Sequence, residues 1–331
     1  MLFSLPAEAV VLVGVALLFD FWNGLHDSSN VVATMISTQA IGPRKALILA
    51  AIAEGAGPFL FGVAVARTIG SEVVAEQAMT LPVVLAALVG AIAWNILTWA
   101  FGIPSSSSHA LIGGIIGAVW AGYGPGAIQP QGLTKTLVAL FVSPPLGMLA
   151  GFLMVRLLRF LGSYATPHIN TWFRRGQILA STWLALSHGT NDAQKTMGVI
   201  TLGLVATGVL PEFRVPLWVI AASAGAIAMG TVFGGWRLIR TLGGKFYRLR
   251  PIHGLGAQAA SASVILGAAL LGGPVSTTQV VSSAIIGAGS AERARMIRWN
   301  VFRNIIIAWL FTIPLAALVS ALAYGLIVRW V

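Results

Sequence analysis

Two short polar runs interrupt long apolar sequence, 165 positions apart, and both contain residue types that could bind an ion. The first, at 23–30, reads Asn-Gly-Leu-His-Asp-Ser-Ser-Asn, and the second, at 188–195, reads His-Gly-Thr-Asn-Asp-Ala-Gln-Lys. An ionisable residue at membrane depth costs about 2.5–3.5 kcal/mol on insertion scales, so a chain rarely carries one without a use. One such run in each half predicts an ion or anion site built from both halves, which is typical of transporters made of repeats.

The acidic residues of these runs suit a cation. Asp27 and Asp192 could bind sodium or take up a proton, whereas they would be poor direct partners for a fully charged oxyanion. A carboxylate can nevertheless accept a hydrogen bond from protonated phosphate, and sulfate lacks that donor at neutral pH. The predicted cation-coupling residues, which are ionisable and fall in or near the two runs, are Asp27, Asp192, Glu54, His26 and Asp20. Sodium at Asp27, Asp192 and Glu54 is the alternative to a proton, and no other metal site is predicted.

Hydroxyl groups that follow two prolines suit an oxyanion. A helix that begins after Pro104 or Pro274 offers free backbone N–H groups and the positive end of its dipole. Lys195 adds a positive charge, as a partner of either the anion or Asp192. The hydroxyl residues predicted to contact the anion are Ser105, Ser106, Ser107, Ser108, Ser276, Thr277 and Thr278. Close helix packing is the alternative role for such small polar residues in a membrane.

The composition identifies the elements that must position these residues as membrane helices. Of the 331 residues, 57% are hydrophobic and 9% are charged, and the mean hydropathy is +0.88. Soluble domains are about 25% charged, so the chain is predicted to be an integral membrane protein without a sizeable soluble domain. There is no cysteine, which excludes disulfides and thiolate metal sites. The first apolar run lacks the features of a signal peptide and is expected to be retained.

The formal net charge of +11 reflects membrane topology rather than nucleic-acid binding. Fifteen of the 20 Lys and Arg residues fall in four clusters, at 44–45, 156–175, 237–250 and 293–303. Loops rich in Lys and Arg thus alternate with loops that have few of them. This pattern predicts a multi-pass protein of the cell membrane, with the basic loops in the cytoplasm and both termini outside. Following the chain from loop to loop gives a coarse count of ten membrane crossings, or about 10–12 transmembrane segments. Segments 7–41 and 177–210 are too long for one straight span, so each is predicted to be two half-helices joined at its polar run, or a re-entrant excursion.

Internal similarity extends beyond the two polar runs. The run at 104–109, Pro-Ser-Ser-Ser-Ser-His, aligns with Pro-Val-Ser-Thr-Thr-Gln at 274–279, and Ile-Ile-Gly-Ala recurs at 115–118 and 285–288. Residues 67–70 resemble 240–243, and Phe141-x-x-Pro144 resembles Phe311-x-x-Pro314. Four matches in order predict an inverted repeat, with halves at 1–165 and 170–331 inside one transmembrane domain. The predicted fold is therefore an all-α inverted-repeat transporter with broken or re-entrant helices.

The residues at 20–34, 188–198, 235–237 and 274–279 resemble the signatures of the inorganic phosphate transporter (PiT) family, of the bacterial low-affinity phosphate permease type. The resemblance covers nearly the whole chain and implies a symporter of orthophosphate with a cation. It adds Asn30 and Asn191 to the phosphate-binding set, beside Lys195 and the hydroxyl residues. His26 and Lys195 stand where many members have Asn. Both departures favour a proton over sodium, with a metal–phosphate complex as a candidate substrate.

Three other functions compete with phosphate symport. A sulfate permease of the same family is the nearest alternative. A membrane hydrolase using Ser105–Ser108 with His109 is disfavoured, because the second block has Gln279 at the matching position and an enzyme needs one nucleophile–base pair. A channel is disfavoured because a closed site between broken helices suits alternating access. The chain is therefore predicted not to be an enzyme and to need no cofactor besides H+ or Na+. The sequence also allows a homodimer.

Overall fold

Helices account for nearly all of the regular structure in a computed structural model that describes residues 5–245 and 249–329. Residues 1–4, 246–248 and 330–331 lie outside the described residues. They belong to the two predicted halves and include Arg248 of the third basic cluster. The first six helices are α1 (Ala7–Ser37), α2 (Pro43–Leu60), α3 (Ala64–Arg67), α4 (Leu81–Phe101), α5 (Ser107–Tyr123) and α6 (Pro130–Leu161). The next six are α7 (Ile169–Ala206), α8 (Leu217–Phe233), α9 (Trp236–Arg240), α10 (Pro251–Leu270), α11 (Thr277–Arg293) and α12 (Trp299–Ile327). Short 3-10 turns lie at Glu76–Ala78, Pro125–Ala127 and Ala294–Met296.

Helix lengths follow the same order in both halves. The pairs α1 and α7 have 31 and 38 residues, α4 and α10 have 21 and 20, α5 and α11 have 17 each, and α6 and α12 have 32 and 29. The short helices α3 and α9 each continue into a five-residue π-helical turn, at Thr68–Glu72 and Thr241–Lys245. Pro144 and Pro314 lie inside α6 and α12, so the sequence matches fall on corresponding helices.

The two halves pack against each other helix by helix. Helix α1 packs on α8 as α7 packs on α2, and α5 packs on α12 as α11 packs on α6. The buried apolar side chains form two cores, and α1 contributes residues before its polar run, such as Leu12, to the first and residues after it, such as Met35, to the second. Helix α7 does the reverse, with Leu184 in the second core and Met197 in the first. The two polar runs therefore lie between the cores.

The breaks predicted within the two polar runs are wrong, because α1 and α7 continue through both runs and through the glycines in them, Gly24 and Gly189. These glycines provide room for another helix instead. A Cβ at Gly24 would collide with the backbone of Ile227 on α8, and a Cβ at Gly189 would collide with the backbone of Glu54 on α2. Small residues allow this close backbone approach between membrane helices.

Broken helices occur elsewhere, at the α2–α3 and α8–α9 connections, which bend by 73° and 61°. The polar runs supply the hydrogen bonds that the bends leave unmade. Gln194 donates to the carbonyl of Gly62 (2.6 Å) and accepts from the N–H of Val65 (2.8 Å), and Ser28 accepts from the N–H of Gly235 (2.8 Å). Irregular backbone is tolerated at membrane depth only where its polar groups find such partners.

An all-α membrane protein is confirmed by the length and apolar character of the described helices. Five of them, α1, α4, α6, α10 and α12, are long and apolar enough to cross a bilayer, and the two bent pairs raise the count to seven. This is fewer than the 10–12 segments that the sequence indicates. Helices α5 and α11 have 17 residues each, below the ~20 of a typical span, and α7 carries the charged residues of its polar run.

Candidate functional site

Side chains of the two polar runs meet in one buried cluster between the two cores. Asp27 on α1 and Asp192 on α7 are 1% and 0% exposed. One ligand atom from each of Asp27, His188 and Asp192 lies within 4.8 Å of the other two. Two carboxylates this close repel each other unless positive charges or hydrogen-bond donors compensate.

Asp27 is held by three hydroxyl groups and an imidazole ring. Its Oδ1 lies 2.7 Å from Nδ1 of His26 and accepts from the hydroxyl of Thr278 at 2.9 Å. Its Oδ2 accepts from Ser107 at 3.2 Å and from Thr277 at 3.4 Å. Each of these hydroxyls comes from the first turn of α5 or α11, so both predicted serine and threonine blocks reach the same carboxylate.

Asp192 is held mainly by positive charge on its own helix. Lys195, one turn away, forms an ion pair with Oδ1, and Nε2 of His188 lies 2.9 Å from Oδ2. The ammonium also donates to Ser108 (2.5 Å) and to the carbonyl of Val275 (3.0 Å). Thr277 donates to Oδ2 at 3.0 Å and so connects Asp192 with Asp27. Of the two partners proposed for Lys195 from the sequence, the structure places Asp192 beside it.

His188 also belongs to the cluster, although it is not among the residues predicted from the sequence. Its Nδ1 lies 2.9 Å from Oε1 of Glu54, and its Nε2 faces Asp192 and, at 4.0 Å, Asp27. Glu54 therefore reaches the cluster through the imidazole ring, and its other oxygen accepts a hydrogen bond from Thr231. The signal was in the sequence, because position 188 stands four residues before Asp192 and so on the same helix face.

The helix starts of α5 and α11 have the same geometry. Ser106 and Ser276 are the N-cap residues, and their side chains accept from the backbone N–H of His109 (3.1 Å) and Gln279 (3.3 Å). Capping by serine satisfies a backbone donor that would otherwise lack a partner. These two predicted anion ligands therefore have a structural role in this arrangement, while the residues after them face the carboxylates.

The other predicted residues lie at different distances from the cluster. Asn30 donates to Thr278 (3.0 Å) and adjoins it. Ser105 donates to Thr98 (2.8 Å), and the Thr98 hydroxyl is 3.4 Å from Nε2 of His26. Ser105 therefore reaches His26 of the cluster through Thr98. Asn191 turns away and donates to the carbonyl of Gly273 at 3.4 Å. The Asp20 carboxylate is fully buried, and the Thr196 hydroxyl lies beside it.

The cluster contains hydroxyl groups that could donate hydrogen bonds to an oxyanion, but the carboxylates of Asp27 and Asp192 already accept those hydrogen bonds. An oxyanion would compete with Asp27 and Asp192 for the hydroxyls of Ser107, Thr277 and Thr278, because charge-assisted hydrogen bonds are the strong ones. The spacing of Asp27, His188 and Asp192 is also short enough for a shared metal ion. The Lys195 ammonium already compensates Asp192, however, so a second cation there would meet like-charge repulsion.

Known proteins resemble this chain over almost its whole length. A family model described as the phosphate transporter family matches residues 23–320. A "probable low-affinity inorganic phosphate transporter" of Rhizobium meliloti (strain 1021) is 46% identical, covering 95% of each chain, and one of Bacillus subtilis (strain 168) is 41% identical, covering 95% of this chain and 96% of the relative. A solved structure described as "The sodium-dependent phosphate transporter" superposes with a TM-score of 0.90 over 98% of this chain and 100% of that one, at 24% identity. This last likeness establishes the fold alone.

Proposed function

Because the chain belongs to the phosphate transporter family, we propose that it is a secondary active symporter that moves inorganic phosphate together with a proton. The family and the relatives are transporters, so the chain is not an enzyme, and the hydrolase alternative is set aside. The observation that carries the proposal is the buried cluster, in which each half contributes one carboxylate and one block of hydroxyl groups.

We propose inverted repeats at 1–165 and 170–331 as the basis of alternating access. The matching order of helix lengths supports this division, and so do the swapped packing partners of the two halves. Helix α1 runs from the first core to the second while α7 runs from the second to the first, as halves of opposite orientation would. A cluster between two such halves lies where transporters of this kind bind substrate. We propose further that the basic loops lie in the cytoplasm and that both termini lie outside.

Phosphate is favoured over sulfate by the acceptors in the cluster. Phosphate near neutral pH carries a hydroxyl group that can donate to Asp27 or Asp192, and sulfate carries none. The predicted ligands in direct contact with these carboxylates are hydroxyls and one ammonium, so the anion would be held without an arginine. Asn30, Ser107, Ser108, Lys195, Thr277 and Thr278 are the proposed phosphate contacts, with Ser105, Ser106, Ser276 and Asn191 in supporting positions.

A proton explains how cation and anion binding could be linked. A proton on Asp27 weakens that carboxylate as an acceptor, so the hydroxyls of Ser107 and Thr278 become free to donate to phosphate. Sodium at Asp192 would have to displace the Lys195 ammonium. Sodium remains the alternative ion, with Glu54 as its best remaining ligand, and the similar solved structure is that of a transporter described as sodium-dependent. A metal–phosphate complex is a further candidate substrate, and a homodimer is a further candidate for the assembly.

Uptake of radiolabelled phosphate into proteoliposomes tests these proposals with sodium and proton gradients imposed separately. We expect uptake driven by an inward proton gradient in sodium-free buffer, and loss of that uptake with a protonophore. Strict dependence on sodium, indifferent to the proton gradient, would overturn proton coupling and leave phosphate transport intact. Competition by sulfate tests the anion, and uptake with and without magnesium tests the metal–phosphate complex. Absence of any phosphate uptake would overturn the function itself.

A further inference from the structure

A basic cavity of about 880 Å³ lies apart from the buried cluster, where the end of α1, the start of α7, the start of α10 and the end of α11 meet. Arginines at four positions line it, namely Arg174, Arg250, Arg293 and Arg298. The lining also contains one carboxylate, Glu292, which already pairs with Arg250 and lies 2.8 Å from His253. Within the described residues Arg174, Arg293 and Arg298 form no ion pair, so the cavity has an excess of positive charge.

The general excess of basic residues at one membrane surface does not explain this convergence. The positive-inside pattern requires arginines at this end of the molecule, but it does not require them to face one cavity. Arg156 and Arg175 belong to the same basic clusters, and their guanidinium groups lie over the rings of Phe152 and Trp172, at 5.2 and 5.6 Å. The four cavity arginines instead surround space large enough for a polyatomic anion.

Backbone groups add to the preference for an anion. The 20-residue helix α10 begins in the cavity wall at Pro251, so its positive end faces the same space as Arg250. Gly243 and Gly244 form another part of the wall, and a Cβ at Gly244 would meet open space. Among the described residues, no side chain therefore covers the backbone at Gly244.

A stripe of buried polar groups connects the cavity with the cluster. Thr38 lines the cavity and donates to Gln177 (2.7 Å), whose buried Nε2 has no partner within the described residues. From Thr38 the stripe follows one face of α1 through Thr34 and Asn30 to Asp27. The Thr34 hydroxyl and the Asn30 carbonyl oxygen are buried and likewise unpartnered in the described part of the chain. Eleven residues of helix place Thr38 about 16 Å from Asp27 along the axis.

We propose that the arginine-lined cavity is a second phosphate-binding site, separate from the cluster that holds Asp27 and Asp192. Guanidinium groups bind phosphate oxygens through paired hydrogen bonds, which makes arginine a preferred phosphate ligand. Unpartnered polar groups are costly to bury in a dry environment, so the stripe behind Thr38 fits a path that water or the anion enters. Free inorganic phosphate and the phosphodiester of a phospholipid headgroup present the same chemistry. Phosphate binding in the cavity does not depend on the proposed transport function. Only the role of the polar stripe, as a path between the cavity and the cluster, rests on that function.

Arginine labelling of the full-length chain tests the site without measuring transport. Phenylglyoxal modifies accessible arginines, and peptide mass spectrometry reports the labelling rate of each one. One arm uses delipidated protein in detergent with inorganic phosphate, against chloride at equal ionic strength. The other uses nanodiscs containing phosphatidylglycerol, against phosphatidylcholine alone, without free phosphate. We expect labelling of Arg293 and Arg298 to slow about fivefold in at least one arm, the scale of one exposed ion pair.

The arm that gives protection identifies the source of the phosphate group. Protection in detergent assigns the site to the free anion, and protection by phosphatidylglycerol assigns it to lipid. Protection in neither arm, or equal protection of Arg156 and Arg303, overturns the proposal. A second measurement is binding of radiolabelled phosphate to Arg293→Gln/Arg298→Gln, with Arg156→Gln/Arg303→Gln as the matched control. Loss of one bound phosphate in the first variant alone supports the site, and equal stoichiometry in the two variants overturns binding of free phosphate there.

Discussion

The two halves bring a carboxylate to the same cluster in different electrostatic surroundings. Asp27 of the first half is held by the hydroxyls of Ser107 and Thr278 and by the His26 ring. Asp192 of the second half is held by the ammonium of Lys195, three residues along the same helix. Hydroxyl groups can rotate to another acceptor, whereas the ammonium is tied to its neighbour. We propose from this difference that Asp27 is the carboxylate that changes state, while Asp192 and Lys195 stay paired.

The comparison is tested most severely by removing each carboxylate separately. Asp192→Asn leaves the Lys195 ammonium buried without a counter-charge, which costs about 3–5 kcal/mol, so we expect low yield and no uptake. Asp27→Asn leaves no such charge, so we expect near wild-type yield and a loss of coupled uptake. The measurements are membrane yield, thermal stability and proteoliposome uptake. Asp192→Asn/Lys195→Met, which removes both charges, should recover yield but not uptake. Equal loss of yield in both single variants would contradict the difference between the halves.

Replacing the fixed cation makes the second half resemble the first. Lys195→Asn introduces the residue that stands at position 30 and removes the charge that opposes sodium at Asp192. Lys195→Asn breaks the same buried ion pair, so we expect a lower yield. In the protein that folds, we expect sodium to stimulate phosphate uptake about tenfold, a difference of ~1.4 kcal/mol, while wild-type uptake stays insensitive to sodium. Uptake is measured at matched expression, across a sodium series at constant ionic strength. Wild-type uptake that already requires sodium would remove the basis of the comparison.

The sequence predicted the class of fold and the content of the cluster better than it predicted the course of the backbone. Paired runs and proline–hydroxyl blocks are visible as residue types, and the structure places Asp27, Asp192, Lys195 and both hydroxyl blocks together. The breaks were misplaced because a glycine within a polar run is compatible with either a bend or a close helix contact. Which one occurs depends on Ile227 and Glu54, which are distant in sequence. The position of His188 on the same helix face as Asp192 is visible in the sequence, but its contact with Glu54 on α2 depends on helix packing that the sequence does not show.

The halves are alike at the two glycines, so substitutions there should have equal effects. Gly24→Ala and Gly189→Ala each introduce a Cβ against the backbone of a neighbouring helix, and overpacking of this kind costs about 1–3 kcal/mol. We expect both variants to have lower thermal stability in detergent, by similar amounts. Gly225→Ala is the control, because a Cβ there meets no atom of the described residues within 4 Å. A loss of stability confined to one of the two would show that only that half depends on the close approach.

Removing hydroxyl donors tests whether the Asp27 side is the adaptable one. Ser107→Ala and Thr278→Val each delete one hydrogen bond to Asp27, and such a bond contributes about 1 kcal/mol. We expect the half-saturation concentration for phosphate to rise about fivefold in each variant, with little change in yield. Ser263→Ala, at an exposed position of α10, serves as the control. Unchanged half-saturation with reduced stability would assign these hydroxyls to helix packing instead of phosphate binding.

The smallest expected effect concerns the polar stripe at Thr34, a position where the two halves differ. Thr34 follows Asp27 on the same face of α1, and the position 165 residues later is the apolar Val199. The Thr34 hydroxyl is buried without a partner in the described part of the chain, so in a dry setting Thr34→Val removes a cost and raises thermal stability. If water or phosphate enters the stripe, the same change removes a polar contact from the path, and we expect uptake to fall about threefold, or ~0.7 kcal/mol.

Val199→Thr, the reciprocal change, should lower stability without increasing uptake, because its surroundings in the first core are apolar. Thermal unfolding and initial uptake rates separate the two effects. Higher stability with unchanged uptake in Thr34→Val would mean that the stripe is dry, and the asymmetry between the halves would then be confined to the cluster itself.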